Sequence, residues 1–168
     1  LAGDTEVTFV KASGSLKKVK ISELYKNWIN QESTVKRNNN QFQGIDFSEN
    51  LPLRVLNEET GKFQTSQIKD VICSGVQPVY RLTLEDSKQL DCTTNHKLLT
   101  NQGWQRMGKA VGLVVNSNRE VVTTENDCWV LCNGVSVLEK NSAEQEQSNV
   151  KAHPVKVAKV EYLGLQTT

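Results

Sequence analysis

The chain has 168 residues, 20 of them basic and 19 acidic, for a net charge of +1. That length suits one domain around one core, and the near balance of charge provides no long-range field for nucleic acid or an acidic membrane surface. No apolar run is long enough to span a bilayer, and the opening residues Leu1 to Glu6 lack the basic and apolar regions of a signal peptide.

From the N-terminus, a Gly-Asp-Thr turn leads into Val7, Phe9 and Val10, whose alternation predicts a strand. Ser13-Gly14-Ser15 is a turn. Leu16 to Lys20 is short and basic, as expected of an edge strand whose lysines discourage further pairing. Ile21, Leu24, Tyr25, Trp28 and Ile29 then form one apolar stripe at helical spacing, which predicts a helix from Ile21 to Asn30 with Ser22 near its cap. Residues 31–50 are polar, with three asparagines at 38–40, and read as a loop or insertion.

Leu53, Val55 and Leu56 predict a strand, Asn57 to Lys62 a turn, and Phe63 a return, with Ile68, Val71 and Ile72 as a further strand. Tyr80, Leu82 and Leu84 alternate with Arg81 and Thr83. After the turn Glu85 to Lys88, the segment Gln89 to Thr93 returns with Leu90 and Cys92 inward. That is a hairpin, and its second strand ends at Thr93-Thr94-Asn95-His96. Cys92 fits a small buried apolar residue better than a nucleophile. Leu98 and Leu99 anchor the far side of this loop, Gly103-Trp104 turns, and Met107 continues the packing. Ala110 to Val115 is strand-like, and Asn116 to Asn126 is polar apart from Val121-Val122.

The four cysteines are Cys73, Cys92, Cys128 and Cys132. They contain no Cys-x-x-Cys pair, and two histidines leave a zinc site short of ligands. Cys128 and Cys132 share one apolar run and lie too far apart along a strand to bridge. A reduced, cytoplasmic protein without metal or cofactor is expected. Residues 139–151 are charged and Gln-rich, and read as a surface loop. His153 reads as a surface residue ahead of a final strand pair built on Val155, Val157, Val160 and Tyr162-Leu163-Gly164. Many short strands and one short helix give an all-β class, a barrel or folded double hairpin.

The chemistry-bearing stretch is Thr93-Thr94-Asn95-His96. An imidazole can give or take a proton near neutral pH, and a hydroxyl three residues earlier can hold the ring or a bound carbonyl. By itself such a spacing is an ordinary strand-end turn.

Three segments, in order, resemble the inteins. Leu1-Ala2-Gly3-Asp4-Thr5-Glu6-Val7 is similar to their opening block, which in the family follows a nucleophilic Cys or Ser. Cys92-Thr93-Thr94-Asn95-His96-Lys97-Leu98-Leu99-Thr100 with Gly103-Trp104 is similar to the block that carries their Thr-x-x-His. Val157-Ala158-Lys159-Val160-Glu161-Tyr162-Leu163-Gly164 resembles the run into the closing blocks. The resemblance implies the Hint fold, a β-strand horseshoe with pseudo-two-fold symmetry. It implies one domain over residues 1–168, with polar loops or insertions at 31–50 and about 116–150.

The resemblance further implies autocatalytic protein splicing, in which an acyl shift cleaves the N-terminal junction and ligation of the flanking segments follows. His96 is expected to face the junction amide, as base to the nucleophile and then acid to the leaving nitrogen. Thr93 is expected near the scissile carbonyl, Asn95 as an uncharged stand-in for the family's usual Asp, and Leu1 beside the cleaved bond. The first nucleophile and the closing blocks, with their penultimate His and terminal Asn, are absent from the chain. The expected partners are the chain's own flanking segments and, where the missing residues lie on another chain, a complementary C-terminal fragment. No homing-endonuclease motif occurs, so the resemblance is to a minimal intein. Two alternatives stay open: a Hedgehog-type or bacterial Hint domain that cleaves without ligating, and a non-catalytic β-rich binding module.

Overall fold

The computed structural model describes residues 1–11, 13–34, 52–132 and 152–168. The polar stretches 35–50 and 139–151 lie outside the described residues. Strands dominate, as the all-β class requires. The chain divides into two compact units, one of Leu1–Ala2, Leu56–Phe63 and Gly75–Thr168, the other of Gly3–Val55 and Gln64–Ser74.

In the second unit, β1 (Glu6–Val10) and β2 (Leu16–Lys20) form an antiparallel hairpin in register from Glu6 opposite Lys20 to Val10 opposite Leu16. With β3 (Leu53–Leu56) and β4 (Phe63–Ser66) the sheet order is β2-β1-β3-β4, so the lysine-rich β2 is an edge strand. Phe9, Val19 and Leu24 form the core, with Val7, Leu53, Ile68 and Val71 packed on it.

The helix α1 spans Ile21–Thr34, four residues beyond Asn30 and into the stretch read as loop. Its start is held by backbone: Ile21 N–H donates to the Thr5 carbonyl at 2.9 Å, and Ser22 N–H to the Gly3 carbonyl at 2.9 Å. These carbonyls satisfy donors that a side-chain cap would otherwise take, so Ser22 lies inside the helix and is not its cap. The strand expected on Ile68, Val71 and Ile72 does not form, and no strand follows Ser66 before Val76. Those three residues lack a two-residue period. Ile68 and Val71 pack on the core, while Ile72 is 73% exposed.

The first unit holds a six-stranded sheet of order β6-β5-β12-β11-β7-β8. Its strands are β5 (Val76–Leu84), β6 (Gln89–Cys92), β7 (Lys97–Thr100), β8 (Gly103–Arg106), β11 (Trp129–Cys132) and β12 (His153–Thr167). A one-turn helix α2 (Met107–Ala110) and a hairpin of β9 (Leu113–Val115) and β10 (Val121–Thr124) complete it. The inward set read from alternation is buried: Tyr80, Leu82 and Leu84 lie in the core, and Cys92 has no exposed surface. Leu98, Met107, Ala110, Val111, Cys128 and Val160 join Tyr80, Leu82 and Cys92 in one cluster.

Among the described residues a second helix joins α1, because residues 107–110 form α2. The stretch of about 116–150, read as polar loops or insertions, includes β10 over Val121–Thr124, while the apolar run from Cys128 to Cys132 carries β11. The expected final strand pair is one continuous strand. Gly164, at φ +90°, allows a bulge in β12 where the sequence suggests a turn. His153 is half-buried, not a surface residue, because it pairs with Cys132 across β11 and β12; its Nε2 is buried without a hydrogen-bond partner. All four cysteines are free thiols.

Candidate functional site

The Thr93–His96 turn joins β6 to β7. It closes on itself through His96 N–H donating to the Thr93 carbonyl at 3.1 Å. The first turn of α2 then holds it from the other side: Met107 N–H donates to the His96 carbonyl at 2.8 Å, and Gly108 N–H to the Thr94 carbonyl at 3.0 Å. These are N-terminal amides with no partner inside the helix, so they are free to bind the loop. Met107 is fully buried in the cluster that contains Cys92 and Leu98, which anchors α2 and with it the turn.

The far end of α2 is fixed as well. Asn126 donates from its backbone to the Val111 carbonyl at 3.1 Å and from Nδ2 to the Lys109 carbonyl at 3.1 Å. Gly112, at φ +60°, leaves room for this contact; a Cβ there would lie 2.9 Å from Asn126 Cγ. Glycine is required on both counts.

Within the same unit, the chain's N-terminus is held by β6 just before this turn. Ala2 is buried, and its N–H donates to the Asp91 carbonyl at 2.9 Å. Asp91 is two residues before Thr93. Leu1 packs on the core cluster, and its amino group lies within electrostatic reach of His96 and Cys92.

His96 is half-buried, and its pKa is held below the usual 6.5, first by loss of solvation and second by the Leu1 ammonium. The neutral ring is therefore favoured at neutral pH. Burial pushes the Cys92 thiol up to about 12, against the Leu1 charge that favours its ionisation. Cys92 is thus a packed thiol and not a nucleophile. Thr93 is half-buried beside the turn. Asn95 is exposed, and its Oδ1 accepts from Arg106 Nη1 at 3.5 Å, a long contact.

Leu1, Thr93 and His96 are thus gathered at one end of the β5–β6 hairpin, while Asn95 sits on the exposed side of the turn. Sequence reasoning gives no role at the site to Asp91, Ala2, Met107 or Gly108. The Arg81–Asp91 ion pair had a signal, since the hairpin places the two residues opposite one another. The amides of α2 had none, because four residues carry no helical period. Among the described residues, no group of three or more His, Cys, Asp or Glu could hold a metal ion.

No protein-family model matches the chain. It is 36% identical over 59 residues to the replicative DNA helicase DnaB of Rhodothermus marinus, a match covering 35% of this chain and 6% of the helicase. The DnaB of Synechocystis is 35% identical over 52 residues, 31% of this chain and 6% of that protein. The chain thus matches only a small fraction of these relatives' length. Among solved structures, a DnaB intein from Synechocystis sp. PCC 6803 superimposes with a TM-score of 0.58 at 17% identity, covering 99% of this chain and 82% of that one. A variant of the Ssp DnaB mini-intein gives 0.60 at 16% identity, covering 99% and 76%. An intein from a hyperthermophile gives 0.58 at 17% identity, covering 99% and 86%.

The chain belongs to the all-β class with a Hint fold. More particularly, its fold is that of the mini-inteins, so the resemblance carried by Leu1–Val7, Cys92–Trp104 and Val157–Gly164 holds at the level of structure.

Proposed function

We propose that residues 1–168 act as one protein-splicing domain, which breaks the peptide bond on the N-terminal side of a Cys or Ser that directly precedes Leu1 and then joins its flanking segments. The observation that carries this reading is the Ala2 amide held at 2.9 Å by the Asp91 carbonyl, two residues before the Thr93–His96 turn, with the Leu1 amino group within electrostatic reach of the His96 imidazole.

An amide is a poor electrophile, because attack must break its planar resonance. In the precursor a Cys or Ser directly before Leu1 supplies the nucleophile. Its sulfur or oxygen attacks the carbonyl on its own N-terminal side. A carbon–sulfur or carbon–oxygen bond forms, the carbon–nitrogen bond breaks, and the nucleophile's proton passes to the departing nitrogen. His96 serves both ends of that transfer. Its neutral ring accepts the proton, and the imidazolium so formed donates it to the nitrogen. Burial favours the neutral ring before the reaction, so the base is ready at neutral pH.

Thr93 holds the scissile carbonyl or its twisted peptide, and Leu1 contributes the backbone next to the bond. Asn95 acts from the turn's exposed side, orienting the loop through Arg106. Holding the reacting atoms together is worth effective molarities of about 10⁵ M or more in well-oriented cases. The turn is pinned at both faces by α2 and by its own 3.1 Å hydrogen bond, as such positioning requires.

The domain turns over once and carries no endonuclease step. Its partners are its own flanking segments. It works in the cytoplasm, a reading supported by its four free thiols. No helix among the described residues is long and apolar enough to cross a membrane.

The test is to express the chain between its flanking segments, with a Cys or Ser before Leu1 and the family's closing residues after Thr168, and to weigh the products. Ligated flanks are expected. Cleaved but unjoined flanks would favour an autoprocessing domain, and an intact precursor would leave only a binding module.

A further inference from the structure

We propose that Asp91, braced by Arg81, is the positioning residue that fixes where the chain's first peptide units lie against the Thr93–His96 turn. The proposal rests on the splicing reading of that site and adds a residue pair to it.

The strand β6 is the outer member of its sheet, so one of its edges has no strand partner. Asp91 lies opposite Arg81 in the β5–β6 ladder. In an antiparallel pair the N–H and C=O of one residue point to the same side. The Asp91 carbonyl is committed to Ala2, at 2.9 Å, and so faces away from β5. Arg81 and Asp91 are therefore a non-hydrogen-bonded pair, the kind whose side chains stand closest.

The side chains use that closeness. Arg81 Nε donates to Asp91 Oδ1 at 2.8 Å and Nη2 to Oδ2 at 2.8 Å, a two-point contact that fixes orientation as well as distance. On its other flank Arg81 lies opposite Glu161 of β12, whose negative charge also favours the guanidinium. Glu161 in turn accepts from Lys159 Nζ at 2.6 Å. Alternating charges thus run from β6 through β5 to β12, across the sheet whose outer edge carries Ala2.

The Arg81 and Asp91 side chains are 36% and 20% exposed. Exposed ion pairs contribute little to global stability, so the leverage of this one is local. It orders the last residues of β6, from which Thr93 and the turn depart. Without it, the carbonyl that holds Ala2 is free to twist, and the N-terminal segment can leave the imidazole.

The experiment has two readouts on the same variants: Asp91→Ala, Arg81→Ala, the double variant, and the conservative Arg81→Lys. The first is the amide hydrogen exchange of Ala2 in the ¹⁵N-labelled chain. The second is the rate of N-terminal cleavage in the flanked precursor. Each single alanine variant is expected to speed Ala2 exchange about tenfold and slow cleavage about tenfold, with the thermal midpoint unchanged. The double variant is expected to be no worse than either single, because one contact is lost in all three, and Arg81→Lys is expected to lie between wild type and alanine. Unchanged Ala2 exchange in the single variants, or single effects that multiply in the double, would overturn the proposal. A wild-type precursor that stays intact removes the splicing reading, and the exchange of Ala2 then decides the clamp alone.

Discussion

The positive charge on the Leu1 amino group reaches the imidazole of His96 and disfavours its protonation, although the two residues stand at opposite ends of the first hundred residues. In a precursor that nitrogen is an uncharged amide, so this contribution vanishes while burial remains. The His96 pKa is therefore expected to be higher when Leu1 is acylated than when its amine is free. Imidazole chemical shifts followed through a pH titration of the two forms measure this. Equal pKa values would place the chain's N-terminus away from the ring.

The same depressed pKa makes a statement about stability. Its folded value lies below 6.5, so as pH falls the unfolded chain takes up the proton first. Stability from this group is then complete above about 6.5, declines as pH falls toward the folded pKa, and levels off below it. Urea denaturation at a series of pH values is expected to show that decline, and His96→Gln is expected to flatten it. An unaltered pH dependence in the variant would assign the decline to other groups.

Gly108 tests how tightly α2 holds the turn. A Cβ on it would stand 3.2 Å from Thr94 Cβ and 3.6 Å from the Thr94 carbonyl oxygen, which already accepts the Gly108 amide. Alanine asks Thr94 to give by a few tenths of an ångström. Valine asks for more than the pinned turn can yield. Gly108→Val is expected to destabilise the chain by about 1–3 kcal/mol, the usual cost of overpacking, and to slow N-terminal cleavage beyond what stability explains. Denaturant midpoints alongside precursor cleavage rates separate the two effects.

How much of this could be read in the sequence follows from the range of each signal. The β5–β6 hairpin was legible because Tyr80, Leu82 and Leu84 alternate without interruption, and α1 because its apolar stripe keeps a strict helical spacing. The start of α1 was less legible, since its first amides are held by Gly3 and Thr5 rather than by a side-chain cap. α2 is too short to show a period, and the β9–β10 hairpin has only three and four residues per strand.

The Ala2–Asp91 hydrogen bond joins residues with no local relation, and no spacing rule reaches that far. The site's central pairing, position 1 with position 96, is legible only through the resemblance to inteins. Periodicity and composition alone made Thr93–His96 only a turn. Asn95 Oδ1 accepts from Arg106 Nη1 on the exposed side of the loop, a contact across eleven residues that no spacing rule reaches.

Splicing at this site turns on His96 moving the proton as the bond on the N-terminal side of the Cys or Ser before Leu1 breaks. The most direct test is the N-terminal cleavage rate of a flanked precursor carrying His96→Ala, followed by mass spectrometry beside the wild type. The expected result is a loss of about 10²-fold or more, the usual contribution of a positioned acid–base group, with the fold intact by circular dichroism. Cleavage at the wild-type rate would contradict the assignment.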